Sequence, residues 1–430
     1  MEPSPETQIG RQINTQTRKM APQKRRRKNP APPIVIEWTL PSDLLLEIVA
    51  RSDPSTFVRC AATCKLLRRD ILDPSFIRRV TQPGGIMPSC ILAYLHARPK
   101  RNRSNHPAPL LSLVHPATTS ASRLIQNNLA PYMLRRDVDL LRHYRPVTRR
   151  GGLIALRRHK INRSNVFQRN SSLCVYNPMT DDRTYLSHSS AFYPSRHYTF
   201  VLLTAADGIG CSFMLLVVDV GPYQNGGRRI TVEAAKSSKV DGAIWGPMNS
   251  IGHRHLPFQA FQDHREAVVL HGGVIHWLFS DNNKILIYDI RTERLGTMKL
   301  PPTNSQERSR HLGTSSDGRL RVLTAKRFMI SLWVHQSDCW AKEAVINVEE
   351  KLLSLHPHIS PARIMIEFQF VGEKSGAVLL WAYRSNQRQR QGPLTVLDLE
   401  TKEMRKQDWY PFLLFEVDLS SRLQTMKIFS

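Results

Sequence analysis

Three stretches far apart in this chain share one pattern. Residues 173–176 lead into Asn177 and then Thr180, residues 285–288 into Asp289 and Thr292, and residues 394–397 into Asp398 and Thr401. Each is a short strand-forming run, then Asn or Asp, then a Thr three further on. Such a side chain accepts a hydrogen bond from its own backbone two residues ahead and starts a turn. The copies begin 112 and 109 residues apart. Glycine-led strands recur at Gly152, Gly208, Gly273, Gly318 and Gly376, a mean spacing of 56 residues, about half the first period. A unit of roughly 45–55 residues with several strands points to propeller blades. About 280 residues follow Gly151, enough for roughly six blades. The competing reading is an irregular β-sandwich whose hairpins share turn chemistry.

The rest of this half agrees. Apolar runs at 153–156, 198–205, 213–220, 268–270, 274–279, 320–324, 328–334, 363–370 and 377–382 are punctuated by Gly, Asp and Asn. One helix is expected, over 345–355. Trp277, Trp333 and Trp381 fall inside strands and read as blade packing.

The N-terminal part has another texture. Leu40 and Pro41 precede Ser42 and Asp43, a helix cap and a residue suited to the positive end of the helix dipole. Leu44, Leu45, Ile48 and Val49 then form one helical face. Asp53 and Pro54 open a second helix, with Phe57 and Ala61, and Val58 and Ala62, spaced four apart. Cys64, Leu67 and Ile71 continue it until Asp73 and Pro74. A helical unit this small rarely buries enough area to stand alone.

In this unit Leu40-Pro41-Ser42-Asp43-Leu44-Leu45-Leu46-Glu47-Ile48-Val49, Phe57-Val58-Arg59-Cys60, Cys64-Lys65-Leu66-Leu67-Arg68 and Asp73-Pro74-Ser75-Phe76 follow one another at set spacing. The series resembles an F-box, whose pattern runs LPxDLLxEIL, LxR, VCKxW, DPxF. It is similar to the F-boxes numerous in plants, which often precede kelch-like or F-box-associated propellers. Ser52 and Asp53 depart from the usual Leu-Pro, Thr63 from Val and Leu67 from Trp.

The resemblance implies a substrate-recognition subunit of a cullin–RING ubiquitin ligase. The F-box would dock on the small helical Skp-type adaptor, and through it on cullin and RING proteins, while the propeller would hold an unidentified target protein. The adaptor-binding residues it implies are Leu40, Pro41, Leu44, Leu45, Ile48, Val58, Cys64 and Leu67. Each serves equally well as core of the F-box itself.

The expected fold is α+β overall: a small all-α unit followed by an all-β propeller-like domain. Residues 1–36 read as a disordered basic tail, 37–80 as the F-box, 81–150 as a basic linker and 151–430 as the propeller. Short helices are expected in the linker over 86–96 and 137–144. Lys24, Arg25, Arg26, Arg27 and Lys28 suit a nuclear-import receptor, and suit nonspecific polyanion contact equally. The expected localisation is nucleus and/or cytoplasm.

Charge supplies the competing function. The net charge is +26, and residues 98–169 hold sixteen cations against Asp137 and Asp139. A nuclear nucleic-acid-binding or scaffold protein is the alternative, although that segment lacks interleaved aromatics for base stacking. No P-loop, G-x-G-x-x-G, G-x-S-x-G or H-E-x-x-H occurs, so no catalytic residue and no cofactor is assigned. His253, His255, His264, His271 and His276 cluster without a Cys or carboxylate at ligand spacing, so no metal is expected. The six scattered cysteines read as free thiols in a reducing compartment. The longest apolar run, 213–218, is too short to span a bilayer, so no membrane is expected as a partner.

Overall fold

A computed structural model describes residues 40–52, 56, 60–61, 65–81, 90–95, 111–115, 140, 144–158, 171–177, 182–187, 198–222, 228–238, 242–253, 267–278, 284–302, 309–315, 317–357, 364–384, 394–407 and 413–418. Residues 1–41 separate from residues 42–430 as compact units, and of the first only Leu40 and Pro41 are described.

The helical part of the second unit begins with α1 (Ser42–Arg51), followed by α2 (Lys65–Ile71) and α3 (Pro74–Thr81). Val49, Ala61, Ile71, Phe76 and Val80 are buried. Asp73 and Pro74 do more than stop the preceding pattern: they open α3. Asp73 accepts the Ser75 backbone N–H at 2.8 Å and the Ser75 hydroxyl, capping otherwise unpaired donors. Those bonds, the hydroxyl first, hold its carboxyl below the usual range. Glu47 of α1 accepts from Arg51 at 2.8 Å and meets Arg79 of α3 at 3.1 Å.

The remainder is β-sheet in a propeller arrangement of five antiparallel meanders. Blade one holds β3 (Tyr144–Arg150), β4 (Leu153–Arg158), β5 (Ser171–Asn177) and β6 (Asp182–Ser187). Blade two holds β7 (Tyr198–Thr204), β8 (Phe213–Pro222) and β9 (Arg228–Ser238), its edge split into β10 (Gly242–Trp245) and β11 (Asn249–His253). Blade three is β12 (Val268–Leu270), β13 (Val274–Leu278), β14 (Lys284–Asp289) and β15 (Arg294–Lys299). Blade four is β16 (Ser309–Thr314), β17 (Leu320–Lys326), β18 (Met329–Gln336) and β19 (Cys339–Asn347). The helix α4 (Glu349–Leu355) leads to blade five, β20 (Ile364–Val371), β21 (Ala377–Arg384), β22 (Leu394–Asp398) and β23 (Met404–Gln407).

A further sheet has three strands. In it β1 (Cys90–Leu95) pairs with β2 (Leu111–His115) and with β24 (Leu413–Asp418), so the last strand of the chain joins the first.

The repeat pattern has a structural meaning at both of its signatures. Gly152, Gly208, Gly273, Gly318 and Gly376 each lie between the first and second strands of a blade, with φ from +65° to +82°. That left-handed backbone favours glycine. The Asn and Asp anchors end third strands. Asp289 Oδ1 accepts the backbone N–H of Arg291 at 2.8 Å and Thr292 at 3.4 Å. Asp398 Oδ1 accepts Glu400 at 2.8 Å and Thr401 at 2.9 Å.

Adjacent blades pack through apolar side chains. Phe200, Leu215 and Val217 meet Ala155 and Val175 between blades one and two. Trp277 and Leu286 pack with Val201 and Leu216 between two and three. Trp333 sits with Leu278 and Ile285 between three and four. Leu352 of α4 joins the core between four and five, with Ile330 and Leu380. Trp381 packs beside Leu92, Val114 and Leu414, where blade five meets the three-stranded sheet.

Three helix expectations need correction. Over 86–96 the described residues form β1, not a helix. A short apolar run cannot be assigned by period alone, and pairing on both edges decides for strand here. Over 137–144 helix is seen at Leu140, and Tyr144 already begins β3. The helix expected over 345–355 starts only at Glu349, because residues through Asn347 pair with β18. The tail 1–36 lies outside the described residues.

Candidate functional site

On α1 two large apolar residues face away from the core, beside exposed Ser42, Asp43 and Arg51. Leu44 and Ile48, one turn apart, are each 54% exposed, while Val49 is buried. Leu66 on α2 is 59% exposed. Leu45 and Leu67 are half-buried, so their side chains serve the core of the helical unit at least in part. Leu40 and Pro41 are exposed in their own unit. Val58 and Cys64 lie outside the described residues, as do Lys24, Arg25, Arg26, Arg27 and Lys28.

Leu66 is the residue the sequence reading missed. Neighbouring helical side chains point about 100° apart, so Leu66 and Leu67 need not share one environment. The pattern alone does not choose between them, and the packed structure turns Leu66 outward.

The propeller places a second set of polar groups where the first turns of the blades converge. Arg150, at the end of β3, donates from Nε to Asp207 Oδ2 at 2.9 Å and from Nη2 to Oδ1 at 2.7 Å. The same Nη2 reaches the Val269 carbonyl at 2.8 Å, and Nη1 lies 2.7 Å from Glu373. One guanidinium therefore links blades one, two, three and five. Asp207 also accepts the Thr204 backbone N–H at 2.8 Å. Burial works against the charge on Arg150, but the carboxylates of Glu373 and Asp207 outweigh it and hold the proton more firmly than in a free arginine. Burial also raises the Glu373 carboxyl, with Arg150 opposing and Glu416 reinforcing the shift.

Glu416, on β24, clasps the neighbouring turn. Its carboxylate accepts the backbone N–H of Glu373 at 2.8 Å, Lys374 at 3.1 Å and Ser375 at 2.6 Å. These groups are committed to one another, and no nucleophile is paired with a base among them. The arrangement is chemically a lock between blades.

Among the described residues, His271 and His276 do not share a site. His271 is exposed in the turn before β13, and His276 is buried within that strand. The side chain of His253 is not described, and His255 and His264 lie outside the described residues. Among the described residues, no three His, Cys, Asp or Glu side chains gather as metal ligands, and no helix is long and apolar enough to cross a membrane.

Residues 38–83 match the F-box-like family, and residues 114–429 match a family described as a domain of unknown function, DUF7595. No curated protein sequence matches the chain. Among solved structures, a protein from Lactobacillus plantarum is 10% identical, with 75% of this chain and 82% of that one covered and a TM-score of 0.36. A putative 6-phosphogluconolactonase from Bacteroides fragilis is 11% identical, covering 56% and 78% at a TM-score of 0.26. The PQQ-bound aldose sugar dehydrogenase of Streptomyces coelicolor is 13% identical, covering 61% and 80% at 0.30. Overlaps this loose carry no argument about this chain. The family match is different in extent, since residues 114–429 take in every strand from β3 to β24: the chain belongs to the DUF7595 family, and an F-box-like segment precedes that domain.

Proposed function

We propose that this chain is the substrate-recognition subunit of an SCF-type cullin–RING ubiquitin ligase. The F-box-like helices dock on a Skp-type adaptor, and the propeller holds a target protein. Ubiquitin transfer then falls to other subunits, and this chain contributes proximity. The observation that carries the reading is the outward apolar face of the F-box-like helices, Leu44 and Ile48 on α1 and Leu66 on α2. Burying one such side chain against a partner is worth about 1.5–3 kcal/mol. Leaving three exposed has no return within the helical unit itself.

The test is co-expression with a Skp-type adaptor, followed by size-exclusion chromatography in high salt. The wild-type chain should co-elute with the adaptor. Leu44→Glu with Ile48→Glu should abolish co-elution while the melting temperature stays unchanged, because neither side chain is part of the core. Co-elution of that variant at wild-type strength would sink the reading.

We also propose that Lys24, Arg25, Arg26, Arg27 and Lys28 serve as a nuclear-import signal, with the protein in the nucleus and/or cytoplasm. A fluorescent fusion in which these five become alanine should lose nuclear accumulation. An unchanged distribution would remove that part.

A further inference from the structure

The two ends of the blades differ in charge. In an antiparallel meander the turns joining strands one to two and three to four share an end. Hydrogen bonds between blades confirm this, joining Arg150 to Asp207 and Arg291 to Gly208. Carboxylates populate that end. Asp207, Asp317 and Glu373 lie in first turns, and Asp289, Asp338 and Asp398 in or at third turns.

The hairpins joining strands two and three lie at the opposite end, and their strand ends are cationic in all five blades. Strand β4 ends on Arg157 and Arg158, β9 begins on Arg228 and Arg229, and β14 begins on Lys284. Blade four contributes Lys326 and Arg327, and β21 ends on Arg384. The sequence of these connections holds a single carboxylate, Asp281. The links from one blade to the next reach the same end and bring Glu349 and Glu350 at the start of α4, so the basic excess there belongs to the hairpins joining strands two and three.

On that end a cleft of about 200 Å³ opens between blades four and five. It is lined by Ser309, Ala325, Lys326, Arg327 and residues Ile364 to Ile366 of β20. Lys326 is half-buried and Arg327 exposed, and neither meets a carboxylate among the described residues. Met329, next to the hairpin, is also exposed. Among the described residues the cleft therefore offers two cations without a carboxylate partner, beside an apolar wall.

We infer that this end is a docking surface for an acidic segment of the target protein, seated at the Lys326–Arg327 cleft. The segment carries carboxylate or phosphoryl groups next to an apolar side chain. The inference rests on the substrate-recognition reading and names the chemistry of the target. Charge complementarity sets orientation and encounter rate, and the apolar wall adds what charge alone cannot. A single-stranded nucleic acid is the competing polyanion, and the oligonucleotide in the test below separates it from an acidic peptide. The exposed aromatic among the described residues is Tyr185, in the middle of β6, and base stacking needs such rings at the surface.

Fluorescence anisotropy on the full chain tests it, with labelled peptides alternating Leu and Glu, Leu and phosphoserine, or Leu and Gln, and a single-stranded oligonucleotide of equal charge. Either anionic peptide should bind at least about tenfold tighter than the Gln peptide, and the stronger of the two tells carboxylate from phosphate. Lys326→Glu with Arg327→Glu should remove that preference. Lys236→Glu with Arg294→Glu, an equal charge change at the other end, should leave it within about twofold. Equal loss in both variants, no preference over the Gln peptide, or tighter binding of the oligonucleotide would each overturn the inference. Adaptor co-elution is read separately on the same variants. Its loss in wild type with peptide preference intact would topple the ligase reading and spare the anion-binding surface. Its retention without peptide preference would topple only the surface.

Discussion

His276 lies in β13 with 4% of its surface exposed, and its Nδ1 meets no hydrogen-bond partner among the described residues. Burial pushes its pKa down to about 4, with His335 adding to the shift and backbone hydrogen bonds at Val268 and Val274 opposing it. An unfolded imidazole titrates near 6.5. Between those values the unfolded chain binds a proton that the folded chain refuses. Stability therefore rises with pH across the window and is lost as pH falls from 6.5 toward 4. Urea unfolding near neutral pH and near pH 4.5 should show on the order of 2–3 kcal/mol lost through this residue. His276→Leu should remove that share of the slope, and an unaltered slope would assign the loss to other groups. Residue identity alone could not place this histidine. In sequence it sits among four others, and only the strand pairing shows that it is buried. The candidate adaptor face was more legible. Leu44 and Ile48 share a helix face by spacing, but which apolar face turns inward depends on packing against α2 and α3.

At the scale of elements, the legible strands were those buried on both sides. The second and third strands of the blades, such as β8, β14 and β21, run as unbroken apolar stretches between adjacent cores. Fourth strands were missed. Asp182–Ser187, Arg294–Lys299 and Met404–Gln407 are short and polar, with little burial. They are held by pairing to the third strand, which no periodicity reports. The turn before them was legible because its chemistry is local. Asp289 is held below its ordinary pKa chiefly by the Arg291 backbone N–H. Its contribution is thus present above the ordinary value of 3.8 and lost as pH falls below it. Asp289→Ala should cost about 1 kcal/mol, read by chemical denaturation. Asp289→Asn should cost less than half of that, since Asn177 already fills the matching position in blade one. Equal costs would show that the acceptor is not what the turn uses.

The whole molecule depends on how its sheets are joined. Glu416 collects three backbone N–H groups from the turn of blade five, and Arg150 of blade one meets Glu373 in that turn. These contacts lie beside the sheet in which β1 and β24 pair. Glu416→Ala strands those donors and should cost about 2–3 kcal/mol, measured by denaturant unfolding. Deleting residues 413–430 should cost more and split the transition, because the three-stranded sheet then loses β24. A single unchanged transition in the truncated chain would show that the sheet does not close the domain. The length alone suggests roughly six blades, but there are five, and the sixth sheet has three strands and is no blade of the meander type. Length could not reveal that this last sheet draws strands from both ends of the chain, because strand pairing over such a distance leaves no local trace.

That pairing also sets a schedule for the ribosome. Cys90 and Asp418 are register partners, so β1 emerges long before its mate exists. At ordinary rates of translation the interval is roughly 15–65 s. For that time the β1 edge later taken by β24 stays open, and an open edge invites pairing with another chain. A cell making this protein has reason to keep a chaperone near the nascent chain until its last strand arrives.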